Sequence, residues 1–180
     1  MIRELLTILS FLCLPVMLSA QHIGNTDWKT EIDFRADEHY VVENILWLED
    51  NPLATPLNDT KALSEYVLQW LSNAPYVSVK LDEIFLAGIV NNRKYKYAEK
   101  FKVTYLFGKA IYAIQNKGET DEALASQRGV VAMVKVYREL KKNDPEAKNR
   151  VLEKYSKMYK GDRLEGYIRT ELNKQESSVN

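Results

Sequence analysis

KYKYAEKFKVTYLFGKAIYAIQN, Lys94 to Asn116, is a long run without proline. Its apolar or aromatic side chains fall at Tyr97, Phe101, Tyr105, Gly108, Ile111 and Tyr112, steps of four, four, three, three and one. That spacing lines one face of a helix, because residues three and four apart lie above one another on a 3.6-residue turn. The neighbouring segments are shorter and carry a single apolar stripe each. The long segment is therefore the expected central partner on which the others pack.

On its C-terminal side, Lys117 and Gly118 form a stop, and Thr120 or Asp121 can cap a long helix to about Lys142. Its inner face is read as Leu124, Val131, Val134 and Tyr137, flanked by Ala123, Gln127, Val130 and Leu140. Asp144 before Pro145 reads as a helix start, since proline fits the first helical position where its missing N–H costs nothing. This helix carries Leu152, Tyr155, Met158 and Tyr159 and ends at Gly161. Asp162 then caps a last helix through Leu164, Tyr167, Ile168 and Leu172, with fraying expected over residues 174–180.

On the N-terminal side, Leu63, Tyr66, Val67, Trp70 and Leu71 give a clean helical stripe, with Asp59 or Thr60 as cap and Asn73 and Pro75 as stop. Tyr76 to Val79 reads as an extended connector before a short helix with Leu81, Ile84, Phe85, Gly88 and Ile89. NPLATPLN, Asn51 to Asn58, holds two prolines and reads as a linker or turn. Tyr40, Val41, Ile45 and Leu48 predict a helix capped at Asp37, with a strand at Val41 and Val42 as the alternative. Residues 21–36 read as a flexible lead-in from which Trp28, Ile32 and Phe34 can dock. Gly88 and Gly108 each cost a helix about 1 kcal/mol relative to alanine, so close packing or a bend is expected there.

The expected fold is thus all-α, an irregular bundle of six or seven amphipathic helices around a central one, formed by one domain over residues 37–173. A degenerate helical-hairpin array is the alternative, suggested by GETDEAL after Gly108 and by GDRLEGYI. Its register fails: Pro145 lies 37 residues beyond Gly108, where a tetratricopeptide motif places proline about 24 beyond its glycine.

The first twenty residues read as a secretory signal peptide: a short polar start with Arg3, an apolar run from Leu5 to Leu18, and small residues Ser19 and Ala20 before Gln21. An exported product, periplasmic or extracellular, is the expectation. Cys13 follows Phe11 and Leu12, which does not fit a lipoprotein cleavage site. Cleavage after Ala20 leaves no cysteine, and hence neither a disulfide nor thiolate chemistry. It also removes Arg3 and Glu4 together, so the chain stays neutral and a uniformly basic nucleic-acid binder is disfavoured. No later apolar run approaches the roughly 20 residues that span a bilayer.

NPLATP, YVLQWLSNAPYVSV (Tyr66–Val79), YLFGKAIYAIQNKG (Tyr105–Gly118) and GVVAMVKVYRELKKN (Gly129–Asn143), following a signal peptide, together resemble a family of small secreted helical proteins of Bacteroidota-type bacteria. The resemblance covers most of the mature chain. It implies export and a helical class, and carries no activity or functional residue with it.

The chain holds no G-x-S-x-G, no phosphate-cradling glycine loop and no HExxH. His39 and Glu43 would share a helix face near Asp37 and Glu38, but a catalytic zinc needs three protein ligands, and the second histidine, His22, sits beside the cleavage point. Neither a metal nor a cofactor is expected. Glu49 with Asp50, or Asp82 with Glu83, could supply an acid and a base only if the fold brought other groups to them, since adjacent helix residues face apart. Tyr66, Tyr105, Tyr112 and Tyr137 lie in apolar stripes and need partners for their hydroxyls or a groove to line. Asn58, Asp59 and Thr60 form a glycosylation sequon, relevant in a eukaryotic secretory pathway.

The most suggestive surface is the basic, aromatic start of the central segment: Lys94, Lys96, Tyr97, Lys100, Phe101 and Lys102, with Arg93 and Tyr95 beside them. Such a mixture can hold an anionic envelope surface or a protein partner; the alternative is core aromatics with a wet lysine face. The leading expectation is an exported non-enzymatic protein that acts by binding. A hydrolase acting on an envelope polymer through assembled carboxylates, and a structural subunit of an oligomer, are the competing readings.

Overall fold

A computed structural model describes residues 23–24, 26–54, 59–118 and 121–179. The signal segment, Cys13, His22, residues 55–58 of the NPLATPLN stretch, and Thr120 lie outside the described residues. Among the described residues the chain forms seven α-helices and no strand: α1 Glu31–Asp50, α2 Asp59–Asn73, α3 Glu83–Val90, α4 Ala98–Gln115, α5 Glu122–Asn143, α6 Arg150–Lys160 and α7 Leu164–Val179. None of them is long and apolar enough to cross a membrane.

The segment expected at the centre shares that place with α5, which packs along α4 and also meets α1, α6 and α7, and α4 has more of its circumference buried than the sequence stripe implied. Phe101 and Tyr105 of α4 enter one core with Phe85, Met133, Tyr137, Leu152, Tyr155 and Ile168. Phe107, Ala110, Ile111 and Ile114 enter a second core with Phe34, Val41, Ile45, Val67 and Trp70. One helix thus serves two cores, and α5 covers its flank. The α4–α5 approach is set by two glycines. A Cβ on Gly108 would meet the Gly129 Cα and the Arg128 carbonyl oxygen at 2.8 Å, and one on Gly129 would meet the Tyr105 carbonyl oxygen at 2.8 Å. The expected close packing at Gly108 is present. At Gly88 the close neighbour is Val151 of α6, whose Cγ2 a Cβ would meet at 2.5 Å.

Several helix ends differ from the sequence expectation, one of them the start of α4, which lies at Ala98 and not at Lys94. The first helix opens at Thr30, not Asp37: the Thr30 side chain accepts from Asp33 N–H, and Asp33 accepts from Thr30 N–H in return. Asp37 instead accepts from Trp28 Nε1 at 2.8 Å and from the Tyr66 hydroxyl at 3.0 Å, which fastens the lead-in to α2. Trp28 and Phe34 dock as expected, whereas Ile32 is 79% exposed. Val41 and Val42 are helical.

Asp144 and Pro145 start only a 3₁₀ turn, Pro145–Ala147, and α6 begins afresh with Asn149 as its cap. The reason is a distant hydroxyl. In a continuous helix the Ala147 carbonyl would accept from Val151 N–H; here it accepts from Tyr95 at 2.7 Å, and Val151 N–H donates to Asn149 Oδ1 at 2.9 Å. At the end of α6, Gly161 has φ −98° and Asp162 takes the left-handed conformation at φ 53°, so Asp162 closes α6 and does not cap α7. The last helix runs on to Val179, past the Lys174 position where fraying was expected.

Candidate functional site

The six residues singled out from the sequence do not form one surface. Residues 94–97 precede the helix, which starts at Ala98. Phe101 is fully buried and stacks on Tyr95. Tyr97 donates to Asp144 Oδ2, and Lys96 pairs with Asp144 at 2.7 Å and with Glu146 at 2.5 Å. Lys102 lies 3.5 Å from Glu99. Lys100 turns its ammonium onto the Pro52 carbonyl oxygen at 2.5 Å, on another face. Lys94 is exposed, as is Arg93. Half of the set therefore ties the start of α4 to the 3₁₀ turn and the core. Asp144 collects the most: Lys96 first, then the Tyr97 hydroxyl and the Glu146 N–H, hold its pKa down at about 2.

A denser set of cations lies on α6. Lys148, Arg150, Lys154, Lys157 and Arg163 line a cleft of about 640 Å³ together with Glu153 and Met158. The local fold explains the clustering. Leu152 and Tyr155 bury one face of α6, so Arg150, Lys154 and Lys157, at i, i+4 and i+7, share another. Seven residues of helix separate the outer two by about 10 Å along the axis. Lys148 is held extended just before the Asn149 cap, and the Arg163 N–H returns to the Met158 carbonyl at 2.9 Å. Both ends of the helix thus contribute one further cation.

The charge in this cleft is little compensated. Glu153 is its sole acid, and it already accepts from Lys141 and from the Tyr137 hydroxyl on α5, which hold its carboxyl below the usual range. Among the described residues, Lys148, Arg150, Lys157 and Arg163 come within ion-pair distance of no carboxylate, although Lys157 acts on Glu153 at longer range, and Lys154 sits 4.1 Å over the Tyr167 ring. The sequence signal was present in the spacing of Arg150, Lys154 and Lys157, which lies opposite the Leu152–Tyr155 stripe.

The acid–base candidates fare differently. Asp82, the N-cap residue of α3, gives that helix no side-chain hydrogen bond. Its Oδ2 accepts from Tyr105 at 2.5 Å, Ser126 at 2.9 Å and Lys109 at 2.6 Å, and Lys109 also reaches Glu122. Lys109 is 2% exposed, so this network joins α3, α4 and α5 from inside. Glu49 is also buried, which raises its pKa, while Arg128 at 2.9 and 3.1 Å draws it back down. Neither carboxylate lines any of the three principal clefts. His39 lies against Tyr40, with ring centres 3.6 Å apart, and no group of three His, Cys, Asp or Glu among the described residues could hold a metal ion.

Tyrosine hydroxyls prove to be tertiary ties. Those of Tyr66, Tyr105 and Tyr137 bond Asp37, Asp82 and Glu153, and those of Tyr95 and Tyr155 bond the Ala147 and Phe85 carbonyls. Burial pushes all five pKa values far up, which keeps the groups protonated as donors.

The chain matches no family model, no curated protein and no solved structure.

Proposed function

We propose that this chain is an exported, non-enzymatic helical protein that binds an anionic component of the cell envelope through the basic cleft on α6. The observation that carries the reading is the excess of cation there: Lys148, Arg150, Lys154, Lys157 and Arg163 face a single acid that Lys141 already neutralises. Exposed like charges held together repel one another, and an anionic ligand relieves that repulsion while displacing loosely held counterions. The apolar side of α6 is committed to the core through Leu152 and Tyr155, so the helix offers mainly charge to its partner. The signal-like first twenty residues support an envelope address.

The test is a titration of the chain against vesicles of anionic phospholipid, against zwitterionic vesicles, and against a soluble polyanion such as polyphosphate. Saturable binding to an anionic probe is expected, weakening as ionic strength rises because exposed charges are screened within about 10 Å at 0.1 M salt. Substituting Arg150, Lys157 and Arg163 together by glutamine should reduce affinity at least tenfold with the helical content unchanged. Equal binding of zwitterionic vesicles, or an unaltered affinity in the triple variant, would overturn the assignment. Mass measurement of the product recovered from its host tests the export step, with removal of about twenty residues expected.

A further inference from the structure

We propose a second binding site, for a small amphiphile with one carboxylate head, in the cleft between the end of α1, the start of α2 and α4, with Lys100 as the residue that holds the head. The cleft measures about 440 Å³, within the range of ligand pockets. Leu48 and Val103 supply apolar wall, backed by the buried Pro52, Phe107 and Val136. Its polar groups are largely engaged internally. Ser64 donates to the Thr60 carbonyl, Asn51 Nδ2 to the Trp47 carbonyl and Thr104 to the Lys100 carbonyl. At the rim, Glu99 is 3.5 Å from Lys102, and Lys61 is 3.6 Å from Glu65.

Lys100 is the exception. Although the residue is exposed as a whole, its ammonium turns in toward Pro52, where it meets a neutral carbonyl oxygen and, among the described residues, no carboxylate. Loss of water around that end draws its pKa below the ordinary lysine value. A cation placed beside an apolar wall without a counter-charge is poorly compensated, and a carboxylate arriving there gains a charge-assisted hydrogen bond. An apolar tail can then lie along Leu48 and Val103. An uncharged alcohol could fill the wall but not answer the cation, and a polyanion could not enter. The site is independent of the α6 cleft, which shares none of its lining residues.

Decanoate is the probe, with decanol as its uncharged counterpart, both followed by titration calorimetry on the mature chain. The expected result is one saturable decanoate site per chain, with affinity reduced at least tenfold in Lys100→Gln and decanol binding unchanged by that substitution. Ser64→Trp and Val103→Trp fill the cleft from α2 and α4 and should abolish both ligands; helical content by circular dichroism identifies which of the two retains the fold. The triple glutamine variant of α6 should still bind decanoate. Absence of saturable decanoate binding, equal affinity in Lys100→Gln, or undiminished binding in a folded cleft-filling variant would overturn the proposal.

Discussion

Lys109 Nζ lies 2.6 Å from Asp82 Oδ2, an ion pair between the middle of the central helix and the residue that precedes α3. The lysine is 2% exposed and the aspartate 14%. Removing two charges from water this far is costly unless the geometry and the remaining hydrogen bonds are good. Both conditions are met, because Tyr105 and Ser126 donate to the same aspartate oxygen and Glu122 meets the lysine from α5. The network therefore fixes the register of three helices. Lys109→Met leaves Asp82 buried with hydroxyl donors alone and is expected to destabilise by about 3 kcal/mol in urea unfolding. Asp82→Asn with Lys109→Met should cost less than the two single changes added together, since the amide still accepts from Tyr105 and Ser126.

Two helical glycines should respond to alanine with opposite signs. At Gly108 the added carbon meets backbone of α5 at 2.8 Å, and backbone cannot step aside as a flexible side chain can. Gly108→Ala is expected to lower stability by about 1–3 kcal/mol through displacement of α5. Gly166 in α7 has nothing within 4 Å of the same carbon, so Gly166→Ala should gain up to about 1 kcal/mol from helix propensity. Thermal melts of both variants check the pair. A stabilised Gly108→Ala protein would mean that α4 and α5 do not approach as described.

Asp144 supplies a pH dependence of known sign. Its folded pKa, about 2, lies below the unfolded value near 3.9 because Lys96, Tyr97 and the Glu146 N–H favour the carboxylate. Its contribution is therefore complete above about pH 4 and fades as pH falls from there toward 2. Asp144→Asn keeps an acceptor for the 3₁₀ turn while removing the charge. Its deficit relative to the parent, read by denaturant unfolding at successive pH values, should be constant near neutrality and shrink below pH 4. A deficit that grew on acidification would contradict the arrangement.

The helices were legible where the stripe is clean, as in α2, where Leu63, Tyr66, Val67 and Trp70 are buried in the order the spacing gives, although Asp59 and Thr60, expected as its cap, lie within the helix. The burial of α4 was legible too, from its stripe through Phe101, Tyr105 and Ile111. Its second buried face was not, because Ala110, Ala113 and Phe107 become core only when α1 and α2 arrive on that side. The start of α1 was written in Thr30 and Asp33, a capping pair with aspartate where glutamate is the usual signal. For the site, counting lysines near aromatics led to Lys94–Lys102, where the fold spends Lys96 and Tyr97 on Asp144. The α6 cations carried a helical period as well. What the sequence could not reveal was that the neighbouring acid, Glu153, is claimed by Lys141 and Tyr137 on another helix.

The break between the 3₁₀ turn and α6 depends on Tyr95, 52 residues before Ala147. Both groups are buried, and the hydroxyl takes the carbonyl that a continuous helix would have used. Tyr95→Phe keeps the ring stacked on Phe101 but leaves the Ala147 carbonyl unpaired, at a cost of about 1–3 kcal/mol unless the backbone finds another donor. The available donor is Val151 N–H, now held by Asn149 Oδ1. Asn149→Ala alone removes a cap and should cost about 1 kcal/mol. With both changes the competing bonds are gone, Ala147 and Val151 are free to pair, and the double variant should be more stable than the summed single losses. Amide hydrogen exchange at Val151 reports the switch directly: protection lost in Asn149→Ala should be recovered when Tyr95→Phe is added. Continued rapid exchange in the double variant would show that the break is maintained by packing around Ala147 and not by the tyrosine hydroxyl.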